Sequence, residues 1–126
     1  DGSPRIVDGD LQTIMAGLAC GEPNTISWDI LRNHVTAFVS CPDWVTARGM
    51  RTLGAPEKGD PRVISGESGA VTTGLVETLM LDPEYAELKE LIGLDKTSSV
   101  LCFSTEGDTD PDQYRRIVWE GEYPTC

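Results

Sequence analysis

Two stretches of the sequence place polar side chains in turns that follow apolar runs. Ser104 and Thr105 come directly after the run 100–103, and the glycine-rich turn 65–70 follows the short run 62–65. In open α/β sheets ligands bind at the carboxyl ends of strands, so either hydroxyl could hydrogen-bond to a ring nitrogen of a ligand. Both hydroxyls could instead only satisfy the backbone of their own turn. The residue types leave both interpretations open.

The turn 65–70 precedes a predicted helix, and backbone N–H groups at a helix start can bind an anion. The turn lacks the Gly-Lys-Ser/Thr of a P-loop, the GxGxxG of dinucleotide-binding folds and the GxSxG of a nucleophile elbow. The residue types favour the alternative that Gly69 and Gly74 only let the helix pack closely against a sheet.

The acidic residues between 106 and 112 alternate as in a calcium-binding loop, but the spacing fails. A loop that starts at Asp108 would place Gln113 where glycine is needed and Trp119 where a bidentate glutamate is needed. A capping role is a better explanation, because Asp110-Pro111 followed by Gln113 is typical of a helix start.

Cysteine and histidine give no sign of a metal site or a catalytic triad. The cysteines are at 20, 41, 102 and 126 and form no CxxC, and His34 is the single histidine. No nucleophile or metal ligand is placed near His34 by sequence spacing, so we expect a structural histidine, free thiols and no metal.

Composition excludes other classes of function. The chain has 126 residues, with 10 Lys and Arg against 21 Asp and Glu and a net charge of −11. Such an acidic chain is a poor match for nucleic acid, which is bound by clustered basic residues. No apolar run is long enough to span a bilayer, and no signal peptide is recognised, so we expect no membrane contact.

Periodicity and capping signals predict five helices. They cover 26–39, 42 to about 49, 71–80, 82–93 and the segment from 110 onward. The predicted inward-facing residues of these helices are Trp28, Leu31, Val35, Phe38, Val71, Leu75, Leu79, Tyr85, Leu88, Leu91, Ile92, Tyr114, Ile117 and Val118. Residues 54–61, with two prolines and two glycines, are expected to form a loop.

Strands are predicted at 62–65 and 99–103, with 5–7 as a weaker candidate. Alternation of these strands with helices indicates an α/β fold with a parallel sheet. Two or three strands are too few for such a sheet, which normally has about five or six. Together with the first residue, Asp1 rather than Met, this leads us to expect that the chain is the closing portion of a longer protein.

Six blocks of sequence together resemble the diaminopropionate ammonia-lyase family. The blocks are 12–18, 20–23, 39–43, 60–70, 103–111 and 114–119, so they are spread over nearly the whole length of the chain. The family consists of fold-type II, tryptophan synthase β-like, pyridoxal-phosphate enzymes. The resemblance therefore implies that residues 1–126 are the C-terminal portion of a three-layer, parallel-sheet catalytic domain.

The same resemblance implies a reaction and a set of site residues. Family members use pyridoxal phosphate to eliminate the β-amino group of 2,3-diaminopropionate, which yields pyruvate and ammonia. A Ser or Thr at the end of a late strand holds the pyridine nitrogen, which implies Thr105, with Ser104 as the fallback. The stretch Glu67, Ser68 and Gly69 would border the cofactor ring, and Glu22 would lie near the substrate cavity.

The resemblance implies that two essential parts of the active site lie outside these 126 residues. The Schiff-base lysine and the phosphate-binding loop of the family lie upstream, and Lys58, Lys89 and Lys96 lack the apolar setting that such a lysine needs. We therefore expect no catalytic residue in this segment and no activity from it alone. A cytoplasmic homodimer is the family expectation for the whole enzyme. The alternative is a catalytically inactive, acidic α/β ligand-binding module.

Overall fold

A pair of helices in contact through glycine forms the centre of the molecule. In the computed structural model, which describes residues 3–125, the helices are α1 (Thr25–His34), α2 (Asp43–Gly54), α3 (Glu67–Leu81), α4 (Ala86–Leu91) and α5 (Pro111–Val118). Two single 3-10 turns, Ala16–Leu18 and Pro83–Tyr85, complete the regular structure of these residues.

Helices α2 and α3 approach each other more closely than side chains would allow. A Cβ on Gly74 would overlap the carbonyl oxygen of Val45 and lie 2.9 Å from the backbone nitrogen of Gly49. A Cβ on Gly49 would in turn overlap the carbonyl oxygen of Ala70. The predicted role of Gly74 in close packing is therefore correct, but its partner is helix α2 rather than a sheet.

The apolar core lies where α5 packs against this helix pair. Its buried members are Ala47, Met50, Ala70, Tyr114 and Ile117. The prediction that Tyr114 and Ile117 face inward is confirmed. Asp110 caps α5 as predicted, because its carboxylate accepts a 3.0 Å hydrogen bond from the backbone N–H of Gln113.

Two arginines of α2 connect the core to its surroundings. Arg48 pairs with Glu77 at 3.1 Å and with Asp82 at 2.5 Å, and both acids belong to α3 or its C-cap. Arg51 donates to the carbonyl oxygens of Ile117, Glu122 and Tyr123. Burial lowers the pKa of Arg51, while the carboxylate partners raise the pKa of Arg48.

Several predicted helix ends require correction. Helix α1 ends at His34, so Val35 and Phe38 lie beyond it and are exposed. Helix α2 continues to Gly54, and α3 begins at Glu67, inside the segment predicted as a turn, rather than at 71. The predicted helix 82–93 consists of the Pro83–Tyr85 turn followed by α4. Asp82 does not cap that segment with its side chain, because its carboxylate binds Arg48.

Exposure corrects two further residues of the predicted apolar faces. Trp28 is 38% exposed and Leu91 is 79% exposed rather than inward-facing. Gly93 ends the α4 segment as predicted, with φ of +73°.

The predicted strands are not formed within residues 3–125. Segments 5–7, 62–65 and 99–103 have no ladder of backbone hydrogen bonds to a neighbouring segment, and all described regular structure is helical. A strand needs a neighbour to pair its N–H and C=O groups. The side chains of the run 100–103 also lack a covering layer, since Leu101 is 78% exposed and Phe103 is 70% exposed. The parallel sheet is therefore absent from the described part of the chain.

Candidate functional site

The loop 104–107 docks on the first turn of helix α3. The backbone N–H of Gly66, the N-cap residue, donates to the carbonyl oxygen of Glu106 at 3.1 Å. The N–H of Ser68 donates to the Glu106 carboxylate at 2.9 Å. These hydrogen bonds bring the glycine-rich segment and the loop with the two hydroxyls together, although they are far apart along the chain. We call residues 65–69 and 104–107 the turn–loop cluster.

Two glycines permit this docking. A Cβ on Gly69 would lie 2.7 Å from the hydroxyl of Ser65 and 2.9 Å from the backbone nitrogen of Thr105. A Cβ on Gly66 would lie 2.5 Å from the carbonyl oxygen of Gly107. Because these neighbours are largely backbone atoms, any larger residue would force the loop away from the helix. The predicted role of Gly69 in close packing is confirmed, with a loop as the partner.

The two hydroxyls of the loop differ in their surroundings. Ser104 Oγ lies 2.8 Å from Ser65 Oγ and 3.2 Å from the carbonyl oxygen of Glu106, so its single proton already has acceptors. Ser65 is only 1% exposed. Thr105 is exposed, and its hydroxyl forms no hydrogen bond with residues 3–125. Ser104 therefore serves its own turn, while the Thr105 hydroxyl is available to a ligand.

Glu67 and Ser68 face into the molecule rather than into solvent. Glu67 is 8% exposed, its carboxylate accepts a 3.0 Å hydrogen bond from Gln113 Nε2, and its carbonyl oxygen accepts one from Thr46. The hydroxyl oxygen of Ser68 is buried and has no hydrogen-bond partner within residues 3–125. An unpaired buried hydroxyl is costly, so it marks a place where a further partner would be stabilising.

A cleft of about 410 Å³ opens beside the turn–loop cluster. Its lining residues are Thr13, Ile14, Ala16, Gly17, Glu67, Glu106, Thr109, Asp110 and Gln113. Its carboxylates are engaged by chain groups: Glu106 by the N–H of Ser68, Glu67 by Gln113, and Asp110 by the α5 backbone. The anion at the start of α3 is thus the protein's own Glu106.

The sequence also predicts a role for Glu22, free thiols and no metal. Glu22 is exposed just before α1 and is not part of the turn–loop cluster. Within the described residues, no group of His, Cys, Asp and Glu side chains is arranged to hold a metal ion. Cys20, Cys41 and Cys102 are unpaired thiols. No helix in residues 3–125 has both the length and the apolarity to cross a bilayer.

The sequence analysis does not predict the contacts that Ser65, Glu106 and Gln113 make at the site. Ser65 binds a residue 39 positions away, Glu106 one 38 positions away and Gln113 one 46 positions away. Local spacing carries no signal for such pairs. The only available hint was that Glu106 adjoins the two hydroxyl residues already singled out.

Comparison with solved structures defines the class of protein first. This chain matches, over 88% of its length, a crystal structure of diaminopropionate ammonia-lyase from Escherichia coli in complex with an aminoacrylate-PLP azomethine reaction intermediate. The TM-score is 0.83, the identity is 56%, and the match covers 29% of that chain. The apo form of the Escherichia coli enzyme matches over 80% of this chain and 28% of that one, with a TM-score of 0.75 and 51% identity.

Curated relatives of this chain carry the name of one particular enzyme. Diaminopropionate ammonia-lyase of Escherichia coli is 56% identical over 117 residues, which are 93% of this chain and 29% of the relative. The Salmonella typhimurium enzyme of the same name is 52% identical over 122 residues, or 96% of this chain and 30% of the relative. No protein-family model matches the chain.

The chain is therefore homologous to a segment of diaminopropionate ammonia-lyase, and the resemblance predicted from the sequence is confirmed. It spans about 29% of the length of the curated relatives it matches.

Proposed function

We propose that this chain is part of a pyridoxal-phosphate-dependent diaminopropionate ammonia-lyase, which converts 2,3-diaminopropionate to pyruvate and ammonia. The observation that carries the proposal is the 56% identity over 93% of the chain. The match to a lyase structure that contains a PLP intermediate supports the choice of cofactor. A ligand-binding module without catalysis is not favoured, because the relatives that match over nearly the whole chain are enzymes.

The turn–loop cluster fits the edge of a pyridoxal ring chemically. Thr105 offers an exposed hydroxyl that no residue of 3–125 engages, Gly69 removes bulk beside it, and Ser68 offers a buried hydroxyl without a partner. When bound, pyridoxal phosphate supplies an electron sink for negative charge at the α-carbon of the substrate.

In this proposal Thr105 holds the pyridine nitrogen, with Ser104 as the fallback. A hydroxyl donates one hydrogen bond to that nitrogen and carries no formal charge, so it leaves the nitrogen largely unprotonated. Glu67, Ser68 and Gly69 border the ring, and Glu22 belongs to the substrate cavity.

The remaining parts of the proposal concern the longer protein. The Schiff-base lysine and phosphate-binding loop would come from the part upstream, as would the strands that pair with 62–65 and 99–103 in a three-layer α/β domain. The exposed apolar side chains of those two segments support this, because an unpaired apolar run is typical of a strand that lacks its sheet. A cytoplasmic homodimer is proposed for the whole enzyme.

The test is an assay of pyruvate release from 2,3-diaminopropionate with added pyridoxal phosphate, coupled to lactate dehydrogenase. We expect the longer protein that contains this chain to release pyruvate and the 126-residue chain alone to release none. A matched assay without the cofactor is the control. Turnover by the 126 residues alone would contradict the placement of the lysine elsewhere, and an inactive longer protein that still binds a small ligand would favour the binding-module alternative.

A further inference from the structure

We infer that Glu106 is a positioning residue that fixes the loop carrying the cofactor-binding hydroxyl of Thr105. The inference rests on the proposed function, and it concerns a residue that makes no contact with the cofactor in that proposal. It is carried by the hydrogen bonds that Glu106 makes across the turn–loop cluster.

Glu106 joins the loop to helix α3 by two separate bonds. Its backbone carbonyl oxygen accepts from the N–H of Gly66 at 3.1 Å, and its carboxylate accepts from the N–H of Ser68 at 2.9 Å. The same carbonyl oxygen also lies 3.2 Å from the hydroxyl of Ser104. One residue thus connects the loop to both the N-cap and the first turn of the helix.

The carboxylate is well suited to this connection. The first N–H groups of a helix have no partner within the helix and carry partial positive charge. The N-cap residue of α3 is Gly66, which has no side chain to cap them. A carboxylate makes a stronger hydrogen bond to such a group than a neutral acceptor does, so Glu106 caps α3 from 38 residues away.

The connection limits the movement of Thr105. Thr105 lies between two residues that are fixed by hydrogen bonds. Ser104 is hydrogen-bonded to Ser65, and Glu106 is hydrogen-bonded to the first turn of α3. Its backbone nitrogen also packs against Gly69. These two hydrogen bonds and the packing against Gly69 restrain the backbone of Thr105, while its hydroxyl stays exposed. Loss of the Glu106 carboxylate would keep the bond from Gly66 but release the second attachment of the loop.

The experiment compares variants of the longer protein that contains this chain. Glu106→Ala removes the acceptor, and Glu106→Gln keeps an acceptor but removes the charge. Glu120→Gln is the control, because Glu120 is exposed and its carboxylate pairs with Arg115, away from the turn–loop cluster. For each, the apoprotein's Kd for pyridoxal phosphate is measured by equilibrium dialysis. The visible circular dichroism of the saturated protein and its melting temperature are also recorded.

We expect Glu106→Ala to weaken the binding of pyridoxal phosphate about tenfold and to reduce the visible circular dichroism of the bound cofactor. Glu106→Gln should weaken binding by roughly threefold, since a neutral acceptor restores part of the bond. Glu120→Gln should behave as the wild type. A change in the cofactor's dichroism at saturation is a readout that a purely stabilising role would not produce.

The outcomes separate the two proposals. A normal Kd and normal dichroism in Glu106→Ala with only a lower melting temperature would overturn the positioning role. If Glu106→Ala does not fold, wild-type values in Glu106→Gln would overturn it. A wild-type protein that releases no pyruvate from 2,3-diaminopropionate overturns the proposed function itself, and this inference with it.

Discussion

At the scale of single residues, the two adjacent hydroxyls of the loop have different roles. The hydroxyl of Ser104 hydrogen-bonds to Ser65 and to the carbonyl oxygen of Glu106, whereas the exposed hydroxyl of Thr105 forms no hydrogen bond with residues 3–125. The sequence places both hydroxyls after the same apolar run and leaves Ser104 as a fallback. The tertiary contacts favour Thr105, because a hydroxyl proton that already has acceptors is less available to a ligand.

Replacement of Thr105 should affect the cofactor more than replacement of Ser104. In the longer protein, we expect Thr105→Ala to weaken the binding of pyridoxal phosphate about tenfold, because one hydrogen bond to the ring is lost. Thr105→Ser keeps the hydroxyl and should bind nearly normally. Binding is measured by equilibrium dialysis, and a larger loss in Ser104→Ala than in Thr105→Ala would show that Ser104 holds the ring.

The thiols should also differ in reactivity. Burial raises the pKa of the Cys41 thiol, so at neutral pH it is protonated in a larger fraction of molecules and is a poorer nucleophile. Cys20 is exposed and serves as the internal control. We expect iodoacetamide to alkylate Cys20 before Cys41, and the rate at Cys41 to rise as pH increases toward its raised pKa. Peptide mass spectrometry measures both rates, and equal rates at neutral pH would contradict this assignment.

At the scale of elements, contact between helices α2 and α3 depends on the absence of side chains at Gly49 and Gly74. The interface is also held by Arg48, which pairs with Glu77 and Asp82. The sequence predicts both helices and identifies Gly74 as a packing residue. It does not identify the partner of Gly74, because two helices and a sheet require small residues for the same reason.

Gly74→Ala should destabilise the protein despite the higher helix propensity of alanine. The added Cβ would overlap the carbonyl oxygen of Val45, and backbone atoms cannot move aside as a flexible side chain can. We expect a loss of about 1–3 kcal/mol in the free energy of unfolding, as is typical of overpacked cores. Thr72→Ala, at an exposed position of the same helix, is the control. Urea unfolding followed by circular dichroism measures the difference, and a stabilised Gly74→Ala protein would show that the interface relaxes.

At the scale of the whole molecule, the described residues leave much apolar surface uncovered. Phe103 is 70% exposed and Leu101 is 78% exposed, although the run 100–103 reads as a strand covered on both faces. Exposed apolar runs of this kind mark interaction surfaces or surfaces that a further part of the protein covers. The proposed longer enzyme accounts for them, because its sheet would include this run.

The environment of Phe103 should therefore depend on how much of the protein is present. In the longer protein, we expect Phe103→Ser to lower the free energy of unfolding by about 2 kcal/mol, which is the contribution of a buried phenylalanine. In the 126-residue chain the same change should leave stability unchanged and reduce self-association. Thermal melts and analytical ultracentrifugation measure these effects. Equal tolerance of Phe103→Ser in both proteins would contradict a strand at 99–103.

The helical part of the molecule is largely determined by local sequence. Capping by Asp110, the inward faces of Tyr114 and Ile117, and the stop at Gly93 all follow from residue spacing, because a helix makes its hydrogen bonds within itself. The family resemblance is likewise a property of the sequence, and the comparisons confirm it.

Contacts between distant residues were decided only by the tertiary structure. Glu106 on the start of α3, Ser65 against Ser104, and Arg48 against Asp82 each join residues more than 30 positions apart. The predicted strands at 62–65 and 99–103 likewise depend on contacts that the local sequence does not specify. Their sequence has the apolar character of strands, but a strand exists only when a neighbouring strand pairs with its backbone, and residues 3–125 supply no such strand.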